Sequence, residues 1–153
     1  MIGCWFSAID PHADRCRYRR SADPGNPDTP AAESTYSLIM ADQVASNLKS
    51  MHELDFEAWN GADWDGRFTG LHTDDVLVRV HGQPTTHGIA EHIAAMKAFV
   101  EASGATPPQI VEHPIKFGSG EWTCVVGQFE NGSRMVTVAK WRDGAIAEEH
   151  IWL

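Results

Sequence analysis

His150 and Glu148 stand two residues apart near the C-terminus, in a stretch whose alternation of apolar and polar residues reads as a β-strand. Histidine exchanges protons near neutral pH, and a carboxylate on the same strand face can orient it or act as a second acid or base. A third candidate comes from far upstream. Asp55 falls four residues after Met51 and three before Ala58, on the apolar stripe of a helical segment. A carboxylate on a core-facing stripe must be hydrogen-bonded, paired or functional.

The elements that would position these groups are legible from their turns. Asn131-Gly132 and Asp143-Gly144 are each flanked by alternating residues, which is a strong hairpin signature and predicts three consecutive antiparallel strands from Trp122 to Leu153. As type I′ turns, they set Glu130 opposite Ser133 and Arg142 opposite Ala145. Counting outward pairs Thr137 with His150 and Ala139 with Glu148. One face then carries Trp122, Cys124, Val126, Met135, Thr137, Ala139, Trp141, Ile146, Glu148, His150 and Trp152, a mixture that suits a lined cavity. The other carries Val125, Phe129, Val136, Val138, Ile151 and Leu153 and is expected to meet a second copy in a homodimer.

Upstream, residues 1–39 hold Pro11, Pro24, Pro27 and Pro30 with no helical or strand period and read as a disordered extension; residues 40–153 read as one domain. A helix is expected from Ala41 to Asn60, ended by Gly61. Asp63 is placed to cap a short helix running to about Leu71. A strand follows over Val76 to His81, with a brief second one near Thr85 to His87. Ile89, Ile93, Met96 and Val100 mark a helix over Ile89 to Ala102. Gln109 to Phe117 reads as a strand that Pro114 confines to an edge or a bulge. Helices before a run of strands imply an α+β fold, with a curved antiparallel sheet wrapped as a cone around the N-terminal helices.

A formal net charge of -9 argues against nucleic acid, which needs clustered Lys and Arg. No apolar run is long enough for a membrane span, and a cytoplasmic location is the expectation. The three cysteines and eight histidines show no CxxC, HxH or HExxH spacing, so neither a metal nor another cofactor is expected.

Four stretches together resemble the SnoaL-like, polyketide-cyclase-like branch of the nuclear-transport-factor-2-like superfamily. They are Ala58-Trp59-Asn60-Gly61-Ala62-Asp63-Trp64, His72-Thr73-Asp74-Asp75-Val76, the His81-to-Pro84 turn with Gly88, and Trp141-Arg142-Asp143-Gly144-Ala145-Ile146-Ala147-Glu148. The resemblance covers roughly residues 47–153 and implies the cone fold. It also implies acids that are missing: the cyclase acid falls on Thr137, and the ketosteroid-isomerase base falls on Val80. The expected register restores an ionisable group beside Thr137 through His150. His81 matches the histidine of the cyclase-like turn, and Asp55 aligns roughly with a cavity tyrosine of the isomerases.

The expected catalytic set is therefore His150, Glu148, Asp55 and His81. Thr137, Trp59, Trp122, Trp141, Met96 and His72 are expected to line the cavity, while His87 and His113 read as surface residues. The implied chemistry is cofactor-independent acid/base catalysis of the cyclase or isomerase type on a hydrophobic small molecule. The competing expectation is a ligand-binding or dimerisation domain without turnover, since the family's acids are absent at Thr137 and Val80.

Overall fold

The computed structural model describes residues 29–153; the expected disorder of residues 1–28 lies outside them. Helix α1 runs Thr29–Glu53, so helix begins ahead of Met40, where the first periodic segment was expected. Pro30 falls in the first turn, where its missing N–H leaves no bond unmade, and Ala31, Ala32 and Glu33 are good helix formers. Leu38 and Ile39 remain exposed, so their residues extend the helix without joining the core.

After Glu53 the helix widens into a π-turn over Leu54–Trp59, with Asn60 N–H bonding Asp55 C=O at 3.2 Å. A second π-turn, Trp64–Phe68, is capped as expected: the Asp63 carboxylate accepts from Gly66 and Arg67 N–H, each at 3.1 Å. Strand β1 follows at His72–Val80, β2 at Thr86–His87 and helix α2 at Ile89–Ala102. Four strands complete the chain: β3 Ile110–Ser119, β4 Trp122–Phe129, β5 Arg134–Arg142 and β6 Ala145–Trp152.

The six strands form one sheet in the order β2-β1-β6-β5-β4-β3. It is mixed rather than wholly antiparallel, because β1 runs parallel to β6. β3 is an edge strand, and its pairing shifts between Ile110 and Glu112 and again between Glu112 and Ile115, the span that holds Pro114, where a ladder N–H is missing. α1 packs on β3 and β4, α2 packs on β1 and β2, and the sheet buries one face beneath them. Met51, Leu54, Ala58, Val76, Val78, Val125, Ala139, Trp141 and Ile146 form the main core, each of the larger ones contributing about 1.5–3 kcal/mol by burial. No helix among the described residues is long and apolar enough to cross a membrane.

Both hairpins differ from the expected register by one residue. Gly132 has φ +84° but Asn131 does not share a positive φ, and Phe129 N–H bonds Ser133 C=O at 2.9 Å. The loop is thus three residues long, and partners in β4 and β5 pair as Val125 with Thr137 and Gln128 with Arg134. At the second turn Asp143 and Gly144 both have positive φ, as a type I′ turn requires, and Arg142 does pair with Ala145. Past Trp141 and Ile146, however, a β-bulge shifts the ladder. His150 pairs with Val138 and Glu149 with Ala139. The cause is parity: Ile146 and Ile151 can face the same side only if one residue between them is extra, and both do pack in the core.

Candidate active site in the cavity

Between the first π-turn, α2 and the buried sheet face lies a cavity of about 610 Å³, within the usual range for a small-molecule site. Most of its wall is apolar, with Trp59, Met96, Phe99, Phe129 and Met135 among the larger groups. Asp55 lines it, although only 6% of the residue is exposed. The carboxylate sits in the π-turn, where the widened backbone departs from the α-helical repeat, and such turns are frequent at functional sites. Its Oδ2 lies 2.8 Å from Nε2 of His113, a buried histidine on β3. Phe56 packs edge-on against the His113 ring and stacks on His52, which closes that side with aromatic surface. Burial pushes the Asp55 carboxyl up, the hydrogen bond and charge of His113 pull part of the way back, and the charge of Glu149 pushes it up again. A carboxyl raised in this way is suited to holding a proton and passing it on.

A second polar corner is formed by His72, His92 and Glu149, all buried. His72 Nδ1 is 2.7 Å from the Phe68 carbonyl, so that nitrogen carries the hydrogen and donates it. Its Nε2 is 3.7 Å from Glu149 Oε2, and His92 Nε2 is 3.9 Å from the same oxygen. Burial alone would raise the Glu149 carboxyl, but the interaction with His72 and the charges of His72 and His92 outweigh it and hold it below its usual value. Burial pushes His92 down to about 4, against the pull of Glu149. Glu149 and His92 line the cavity, as does Thr137.

No protein-family profile matches the sequence, and no curated protein matches it. Solved structures do match. An NTF-2 like protein of unknown function from Burkholderia xenovorans LB400 is 15% identical, covers 70% of this chain with 81% of its own and gives a TM-score of 0.55. The chain has the nuclear-transport-factor-2-like fold. A candidate polyketide cyclase from Sinorhizobium meliloti is 19% identical, with 67% of this chain and 97% of that one covered, at a TM-score of 0.54. A candidate ketosteroid isomerase from Kribbella flavida DSM 17836 is 16% identical, with coverages of 72% and 78%, at 0.54. These identities establish the fold and leave the chemistry to this chain's own residues.

Within the nuclear-transport-factor-2-like cone, the bulge in β6 decides which candidates reach the cavity. Asp55, Trp59, Met96 and Thr137 line it. His150 and Glu148 do not: they lie on the outer face, opposite the side to which Thr137 points, so the expected site around His150 is corrected. There Glu148 accepts from Arg79 at 2.5 Å and approaches His150 Nε2 at 3.0 Å. The hydrogen bond from Arg79, with that of His150, holds the Glu148 carboxyl below its usual value. His81 stacks on Trp152 with ring centroids 4.1 Å apart, outside the cavity as well.

Trp122 is likewise on the outer face, with Lys140 Nζ 5.8 Å from its ring centre. Trp141 is buried in the core and donates to Thr123 Oγ1 at 2.8 Å, and His72 lies beside Glu149 without reaching the cavity wall. His150→Gln is therefore expected to leave turnover of any cavity substrate unchanged. A rate assay on the variant checks this, and a loss beyond tenfold would put His150 back in the site.

Glu149 and His113 are the residues that the sequence reading missed. Glu149 occupies the place opposite Ala139 expected for Glu148. The available signal was parity: Phe129, Met135 and Trp141 share odd numbers and are all buried, which requires an odd-length first loop. His113, read as a surface residue, lies just before Pro114 on an irregular edge strand, and only the packing of Asp55 against β3 reveals it.

Proposed function

We propose that the chain is a small-molecule enzyme of the isomerase or cyclase type, moving a proton on a hydrophobic, carbonyl-bearing substrate held in the cavity. The observation that carries this is the buried Asp55–His113 pair at 2.8 Å, which sets the Asp55 carboxyl into a mostly apolar wall. In its ionised form Asp55 takes a proton from the carbon beside a carbonyl, and the C–H electron pair becomes the C=C bond of an enolate. The same carboxyl then returns the proton to another carbon of the conjugated system, so the reaction is redox-neutral. His113 acts as a positioning residue that steers Asp55 and shares its proton. The candidate cyclase and isomerase among the structural neighbours support this class, and the apolar wall favours a ring-bearing substrate.

The test needs no knowledge of the natural substrate. In deuterated buffer the protein should accelerate loss of the α-proton signals of a hydrophobic cyclic ketone, read by NMR. The second reading, a domain that holds a ligand without turnover, draws on Thr137 and Val80, which both line the cavity where the resemblance implies acids. Ketone binding with no exchange above the buffer rate would select it.

A second copy is the partner we place on the outer sheet face. Ile115 and Phe117 are exposed there beside Val126, Val136 and Val138, whereas Val125 and Ile151, expected on that face, belong to the interior. Covering this surface would release about 25 cal/mol per Å² of apolar area. Val138→Glu should turn a dimer into a monomer by light scattering; a variant that stays dimeric moves the interface elsewhere.

A further inference from the structure

We infer that His72, His92 and Glu149 form a binding site for a divalent transition-metal ion of the zinc kind, opening onto the cavity. Each residue offers one ligand atom, and the three atoms lie within 4.8 Å of one another. They come from the start of β1, from α2 and from β6, which is why no spacing motif announces them.

The geometry around His72 makes the case. Its Nδ1–H is committed to the Phe68 carbonyl, which can only accept, so whenever the ring is neutral Nε2 presents a bare lone pair. That Nε2 is buried and has no hydrogen-bond partner, in a side chain with 0% exposure. What faces it is Glu149 Oε2, another lone-pair bearer, at 3.7 Å, and His92 Nε2 stands 3.9 Å from that same oxygen. These separations are too long for hydrogen bonds. Two ligands of one tetrahedral ion, each about 2.1 Å from it, sit about 3.4 Å apart, so the two His–Glu separations need contract by only a few tenths of an ångström, while the His72–His92 separation, within 4.8 Å, closes by a rotamer adjustment of up to about 1.4 Å.

The ligand chemistry agrees. Two imidazoles with one carboxylate are a known donor set for zinc and for other divalent first-row metals with open positions. The bond from His72 Nδ1 to a backbone carbonyl is the outer support that fixes a ligating histidine's orientation and tautomer. A buried carboxylate between two imidazoles is costly unless a cation compensates it. Because His92 and Glu149 line the cavity, the remaining coordination position would face a bound molecule. The inference does not rest on the Asp55–His113 reading, since metal uptake is measured without turnover.

The full-length protein, stripped with a chelator and dialysed, is titrated with Zn²⁺ alone by calorimetry, and Co²⁺ is added separately to read its visible absorption. One ion per chain is expected, with Co²⁺ bands of a low-coordinate nitrogen and oxygen site. His72→Ala and Glu149→Gln should each weaken Zn²⁺ binding at least about 100-fold, more than the loss of an outer-shell partner gives, while His150→Gln on the outer face should not. Circular dichroism checks that each variant folds. In the wild type, where no variant need fold, Zn²⁺ should shift the imidazole nitrogen resonances of His72 and His92. No uptake at millimolar Zn²⁺, uptake lost only in His150→Gln, or resonance shifts confined to other histidines would overturn the site.

Discussion

Replacing Asp55 with asparagine will abolish proton exchange in the cavity and leave the protein at least as stable as the wild type. Asn keeps the shape and can still hydrogen-bond His113 Nε2, but it neither holds nor releases a proton. Loss of a positioned acid/base group costs typically 10²–10⁴-fold in rate, so the exchange signal of a cyclic ketone should fall by about 100-fold or more. The stability side follows from burial, which raises the Asp55 carboxyl despite the opposing hydrogen bond and charge of His113. A group whose folded pKa lies above its unfolded value contributes stability that is fully present below the unfolded pKa. That contribution is lost as pH rises through the folded pKa. The contribution of Asp55 therefore falls from about pH 4 upward, on top of the other titrations that wild type and variant share, and Asn lacks that loss. The melting-temperature difference should widen in favour of Asp55→Asn between pH 4 and pH 8. A variant less stable than wild type throughout that range would make Asp55–His113 a structural pair, and retained exchange would remove it from the chemistry.

What the sequence made legible, and what it hid, separates along one physical line. Local signals held: Asp63 caps its helix, α2 spans Ile89–Ala102, Asp143-Gly144 forms its expected turn, and Asp55 is buried on the stripe that its spacing defined. The α+β order and the resemblance gave the cone fold, since both rest on element order and turn residues. The face of β5 held, with Met135, Thr137, Ala139 and Trp141 turned inward, but the faces of β4 and of β6 beyond Ile146 were lost because register carries one bit per strand, and a single extra residue reverses it. The two-residue reading of Asn131-Gly132 put Val125 and Phe129 on the wrong side. The bulge past Ile146 exchanged Glu148 for Glu149. Neither slip is visible in a turn motif. Both follow from tertiary burial, because the inner face keeps Ile146 and Ile151 together while the Arg79–Glu148–His150 group stays half-exposed outside. His113 was hidden for another reason, since only the approach of the π-turn to an irregular edge strand turns it into a buried partner.

Trp141→Ala will cost more stability than any change in the cavity wall, because the structure makes this tryptophan a pillar of the core. It is 3% exposed and packs among the buried residues that join α1 to the sheet. Truncating a buried tryptophan typically costs about 3–5 kcal/mol, from lost burial and the void left behind. The change also removes the Nε1–H donor to Thr123 Oγ1, a hydroxyl in a residue only 2% exposed, which adds the penalty of an unpaired buried group. Against a total stability of about 5–15 kcal/mol this is a large fraction. The melting temperature should drop by about 10 °C or more. Below that midpoint the folded variant should keep the KM of wild type for the ketone that exchanges, because Trp141 does not reach the cavity. A raised KM with a melting temperature within a few degrees of wild type would instead make Trp141 part of the wall, the role its sequence position first suggested.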